Sequence, residues 1–147
     1  MTVDGSTITS PDYGSFNGYG KNKDCRVTIR FATDHMVAIR FEKFDVEHNR
    51  TNCGFDYLAV HDGDNISSPM IGPKLCGTIT TGTTLQSTTN VMTLHFHANL
   101  ETRNKGFKIY ADVGKKFDTI QNCLADVNRS FIIVFVDIEI YIALSSN

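Results

Sequence analysis

The run that constrains this chain most is Cys53-Gly54-Phe55-Asp56-Tyr57-Leu58-Ala59-Val60-His61-Asp62-Gly63, followed by Leu75-Cys76-Gly77. Successive side chains alternate across an extended strand, so Tyr57, Ala59 and His61 share one side and Leu58 and Val60 the other. Asp62-Gly63 supplies a tight turn at the end of that strand. A β unit with cysteines around it looks like a disulfide-stapled element of an extracellular module. The chain therefore reads as a secreted binding domain rather than an enzyme.

Elsewhere the same alternation recurs in short runs. Val27, Ile29 and Phe31 alternate with Arg26, Thr28 and Arg30, and Val37, Ile39 and Phe41 with Ala38, Arg40 and Glu42. Met92, Leu94 and Phe96 alternate with Thr93, His95 and His97, and Phe107, Ile109 and Ala111 with Lys108, Tyr110 and Asp112. One buried and one wet face is the grammar of antiparallel sheets. Pro11-Asp12-Tyr13-Gly14, Asn17-Gly18, Gly72-Pro73 and Asn104-Lys105-Gly106 are turn signals between the runs. No amphipathic helix is expected before residue 114. The expected fold is all-β, a two-sheet antiparallel β-sandwich over residues 1–113 with a C-terminal appendage.

At 147 residues the chain holds one domain and a short appendage. A net charge of −2, with lysines and arginines scattered, gives no basic face for nucleic acid or an anionic membrane. Cysteines at 25, 53, 76 and 123 permit three pairings, and none forms the C-x-x-C of a zinc ribbon or thioredoxin motif. Asn49, Asn65 and Asn128 each begin an N-x-S/T sequon, which with the cysteines favours an oxidising compartment. The first residues lack the basic and apolar regions of a signal peptide, so a secreted origin makes this an excised module or fragment. Residues 114–147 change character. The polar stretch 115–130 reads as a linker or short helix. Residues 131–144 are apolar but carry Asp137 and Glu139, too short and too charged for a membrane span. From Val136 they alternate as a strand would, and the segment reads as part of a neighbouring module or a non-native tail.

Several pieces in order resemble the CUB domain, a jelly-roll-like extracellular β-sandwich module. They are Gly5 to Tyr13, Tyr19 and Asn22 ahead of Cys25, Val37 to Asp45, and the Cys53–Gly63 block. Lys74-Leu75-Cys76-Gly77, the strand Val91 to Asn99, and Gly106-Phe107 complete the set. Such modules occur in complement proteases, astacin-type proteases, cubilin-like receptors and spermadhesins, and act in protein–protein recognition. The resemblance implies a Cys53–Cys76 bridge. It leaves Cys25 without its usual N-terminal partner, so Cys25 is free or pairs with Cys123. Arg26 stands where the family usually has an aromatic residue, which would cost a core or interface contact.

The resemblance also implies a Ca²⁺ site at one end of the sandwich. Glu47 and Asp56 match two of its acidic ligands. The third family aspartate is Asn99 here, an amide oxygen without charge. Glu101 and Thr102 could complete a shell of oxygens, which suits a hard cation of flexible geometry, and Tyr19 matches a tyrosine that supports the site. Loss of one carboxylate should leave the affinity near roughly 10⁻⁴–10⁻³ M. By the same resemblance, the acidic ligands would capture a lysine or arginine of another extracellular protein through a charge-assisted hydrogen bond. A glycan on Asn49 would stand beside that loop.

His95 and His97 share one side of a strand and form an H-x-H pair, but sequence places no third ligand near them, so they read as a solvated strand face. No catalytic spacing is present: no nucleophile elbow, phosphate loop or H-E-x-x-H. The expectation is a non-catalytic, extracellular, calcium-dependent protein-binding module. The alternatives are a metal-free spacer in a multidomain secreted protein and a non-catalytic appendage of a secreted metalloprotease.

Overall fold

A computed structural model describes residues 1–4, 6–33, 35–48, 52–101 and 104–112, and the backbone of 118–124, 131–136 and 139–144. In chain order the strands are β1 (Thr2–Asp4), β2 (Thr7–Thr9), β3 (Lys23–Arg30), β4 (Ala38–Val46), β5 (Tyr57–His61) and β6 (Gly77–Thr78). They continue as β7 (Thr84–Gln86), β8 (Val91–Ala98), β9 (Gly106–Asp112), β10 (Asp118–Leu124), β11 (Phe131–Val136) and β12 (Glu139–Leu144). No helix occurs among the described residues.

Two antiparallel sheets form. The first runs β1-β2-β9-β4-β6, with β7 also pairing β4, and the second runs β12-β11-β10-β3-β8-β5. Their facing sides supply the core. Val27 and Ile29 of β3, Leu58 and Val60 of β5, and Met92, Leu94 and Phe96 of β8 come from the second sheet. They meet Ile39, Phe41, Phe44 and Val46 of β4 and Phe107 and Ile109 of β9. The alternating residues expected to be buried are buried, and on β5 and β8 several of the opposite phase are buried as well. Sequence alternation does not foresee that β4 buries both Phe41 and Phe44, three residues apart. A β-bulge between Phe41 and Lys43 in the β4–β9 register resets the phase and turns Phe44 and Val46 back inward.

Strand β8 lies between β3 and β5 and is covered on both sides. Its outward Thr93 is 1% exposed and shares a 3.0 Å hydroxyl contact with Thr28. Arg26 also points outward, with its side chain half exposed. Its departure from the family aromatic therefore removes nothing from the core.

The bridge between Cys53 and Cys76 is present, with Cα atoms 5.6 Å apart. Leu75, one residue before it, exchanges two backbone hydrogen bonds with Leu58 of the second sheet. Gly77, one residue after it, pairs with Val46 of the first. The disulfide thus sits where the chain crosses between sheets and anchors the loop that leads into β5. Replacing both cysteines by serine reopens a loop with a sequence separation of 23. The expected cost is about 3 kcal/mol, seen as a lower urea midpoint with a steeper slope, because the reopened loop leaves the unfolded chain less compact.

Cys25 is disulfide-bonded, so it is not free. The residue opposite it in the β3–β10 register is Cys123. The stretch read as a linker or short helix contains β10, which pairs β3 from Asp118↔Arg30 to Leu124↔Asp24. The apolar stretch forms the antiparallel pair β11–β12 rather than one strand from Val136.

Candidate functional site

Strand ends bring the site together. Glu47 follows the last residue of β4, Asp56 precedes the first of β5, and Asn99 follows the last of β8. Because β5 and β8 pair with Tyr57 opposite His97, Asp56 and Asn99 meet at one end of the second sheet. Glu47 reaches the same end from the first sheet. The three residues therefore bridge the two layers, on loops held by strands.

Tyr19 is the pin between them. It is fully buried, its ring packs edge-on against Phe96 at 5.3 Å, and its backbone N–H donates to Asn104. The Tyr19 hydroxyl accepts the Glu47 backbone N–H at 3.0 Å and donates to Asp56 Oδ2 at 2.5 Å. Burial, reinforced by the Asp56 carboxylate, pushes that hydroxyl above the usual phenol range, so it remains a proton donor at any physiological pH. One side chain thus fixes both acidic residues.

Asp56 is 0% exposed, and its other oxygen accepts the Asn99 backbone N–H at 2.7 Å. Glu47 differs: its Oε2 is buried and meets no hydrogen-bond partner among the described residues. A buried carboxylate oxygen without a donor is costly unless something else satisfies it. Asn99 turns its side-chain oxygen to the Glu101 backbone N–H at 2.7 Å, and its carbonyl accepts from Asn22. In this arrangement Asn99 organises its own turn as well as holding Asp56. Glu101 is exposed two residues further on, and Thr102 lies outside the described residues.

Two contacts absent from the sequence reading complete this end. Asp45 accepts from Asn104 Nδ2 at 2.7 Å and from the Lys105 backbone N–H at 3.3 Å, which fixes the approach to β9. Asp45 pairs with Gly106 across the β4–β9 ladder, so knowing that register would have identified the link. Phe16, in the loop beside Asn104 and Lys105, is wholly exposed.

The sequons fall elsewhere. Asn65 is exposed, and its side-chain oxygen accepts the Ser67 backbone N–H at 2.9 Å in a local turn. Asn49 and Asn128 lie outside the described residues. His95 departs from the solvated face expected of it. It is 9% exposed and its Nε2 lies 3.1 Å from both oxygens of Asp24, a residue that sequence reading did not associate with it.

These features define a class: a disulfide-stapled antiparallel sandwich that carries a polar, oxygen-rich site on loops at one end. The profile of the CUB domain matches residues 1–110, and the chain belongs to that family. Human cubilin is 37% identical over 102 residues, which make up 69% of this chain and 3% of cubilin. Human neuropilin-2 is 33% identical over 112 residues, 73% of this chain and 12% of that protein. Mouse mannan-binding lectin serine protease 1 is 31% identical over 118 residues, 78% of this chain and 16% of the protease. The chain thus spans a small part of each of these relatives. Among solved structures, the MASP-1 CUB2 domain bound to Ca²⁺ superposes with a TM-score of 0.61 at 30% identity, covering 73% of this chain and 90% of that one. No helix among the described residues is long and apolar enough to cross a membrane.

Proposed function

We propose that this chain is a non-catalytic, extracellular protein-binding module whose end loops hold one Ca²⁺ and use it to recognise a basic side chain of a partner protein. The observation that carries this reading is the buried, unpartnered Glu47 Oε2 beside the fully buried Asp56. Calcium takes carboxylate, amide and carbonyl oxygens, and Glu47, Asp56 and Asn99 supply these from three strand ends. Glu101 and Thr102 stand close by in sequence to add oxygens. The solved relative that carries Ca²⁺ supports the same reading.

Calcium supplies the positive charge that draws the loop oxygens together. Carboxylate lone pairs left facing outward then accept from a lysine or arginine, a pairing stronger than one between neutral groups. Residues 1–113 form the binding unit, and 114–147 are its appendage. The Cys53–Cys76 bridge and the exposed Asn65 sequon fit an oxidising, glycosylating compartment. A spacer without metal is the second reading, favoured by the engagement of Asn99 Oδ1 with Glu101.

Calorimetric titration with CaCl2 tests the proposal. One saturable equivalent is expected, lost in Glu47→Gln and tightened roughly tenfold in Asn99→Asp, which restores a third negative charge. Heat that is unsaturable, or indifferent to both substitutions, leaves the spacer reading standing.

A further inference from the structure

Away from the end loops, the outward face of the first sheet carries a polar cavity. Ile39, Phe41, Ile109 and Ala111 turn into the core, so Arg40, Tyr110 and Asp112, which alternate with them, turn out. The register sets one row across four strands. Thr7 of β2 pairs Tyr110 of β9, Tyr110 pairs Arg40 of β4, and Arg40 pairs Thr84 of β7. Ser6, Arg40, Thr84, Tyr110 and Asp112 are among the residues that line a cavity of about 330 Å³ there. Ligand pockets span about 300–1,000 Å³, so the space suits a small polar group.

Two cations lie over the Tyr110 ring, Arg40 Cζ at 5.0 Å and Lys108 Nζ at 5.3 Å from its centroid. Lys108 is already paired, 3.1 Å from Glu42 Oε2. Arg40 forms no ion pair among the described residues. Its contact with the ring holds the guanidinium in place, and a planar fork set in advance loses little further freedom on binding. Asp112 is exposed at the same cavity and is likewise in no ion pair among the described residues.

We infer that this cavity binds an acidic sugar, a uronic or sialic acid residue of a glycan. The Arg40 fork takes the sugar carboxylate in a charge-assisted, two-point hydrogen bond. Asp112 accepts from the sugar hydroxyls, and the hydroxyls of Ser6 and Thr84 donate to or accept from them. A carboxylate beside the guanidinium also repels a second negative charge, so the cavity favours one carboxylate among neutral hydroxyls over a densely charged chain. The site lies on strands and shares no residue with Glu47, Asp56 or Asn99, so it does not depend on calcium.

Saturation-transfer NMR titrations of the full chain test this, in calcium and again in EDTA. Methyl β-glucuronide and N-acetylneuraminic acid are the acidic probes, and methyl β-glucoside and acetate the controls. At least one acidic sugar should bind saturably in both buffers, about tenfold or more tighter than either control. Glucuronide alone points to a glycosaminoglycan and neuraminic acid alone to a sialylated glycan, and either result supports the site. Arg40→Gln should erase the preference over glucoside, and Arg40→Lys should restore only part of it, because an ammonium lacks the fork. Arg40 is exposed, so both variants should keep the wild-type urea midpoint. Equal affinity for acidic sugar and either control, or a preference that survives Arg40→Gln, overturns the inference. So does binding abolished by EDTA, or no saturable binding of either acidic sugar.

Discussion

Replacing Asp56 by alanine is expected to abolish calcium binding and to lower stability by about 2–4 kcal/mol. Asp56 is 0% exposed, and its two oxygens satisfy the Tyr19 hydroxyl and the Asn99 backbone N–H. Alanine takes the acceptor from the buried Tyr19 hydroxyl, at about 1–3 kcal/mol, and from the part-buried Asn99 N–H, at about 1 kcal/mol. The same substitution removes the carboxylate that shares the Tyr19 hydroxyl with the Glu47 backbone N–H. Urea denaturation reads the first effect and calcium calorimetry the second. Asp56→Asn separates them: the amide oxygen still accepts a hydrogen bond, so part of the stability returns while the charge needed for calcium does not. Unchanged stability in Asp56→Ala would contradict the placement of Asp56 as the buried anchor of these loops.

Phe96→Ala is expected to cost about 3–5 kcal/mol, the largest effect of any single core substitution considered. Phe96 is fully buried in β8 and packs edge-on against both Tyr19 and Phe107, each at 5.3 Å. Removing its ring opens a cavity between the sheets and takes away the wall that orients Tyr19. Because Tyr19 holds Glu47 and Asp56, calcium affinity should fall along with stability, even under conditions where the variant remains folded. Chemical denaturation and calcium titration of the same preparation check both. Lost stability with unchanged calcium affinity would show that Tyr19 is oriented by its hydrogen bonds alone.

Most of the fold is legible in the sequence because two-residue alternation states which side of each strand is buried. Met92, Leu94 and Phe96 are inward as the pattern requires, and so are Phe107 and Ile109. The bulge near Glu42 is not legible, because an inserted residue is a property of the pairing with β9 and not of β4 alone. The polarity of 115–130 pointed to a linker, yet β10 within it pairs β3, and composition does not reveal which edge a polar strand completes. Glu47, Asp56, Asn99 and Tyr19 came from the family resemblance. Their distances depend on the β5–β8 register and on Tyr19 reaching between the sheets. His95 was misjudged because alternation assigns a face but not its cover: β3 and β5 flank β8, and Asp24 and Tyr57 close over the ring. Asp24 itself is seventy-one residues from His95, beyond any local pattern.

The most direct test of the calcium-dependent reading is a crystal structure grown with millimolar CaCl2, with anomalous data collected at a long wavelength. An anomalous peak within about 2.3–2.6 Å of Glu47 and Asp56 oxygens is the predicted result, with Asn99 supplying an oxygen to the same ion. A saturated crystal with no such peak, and Glu47 turned to solvent, would contradict it and leave the module a metal-free spacer.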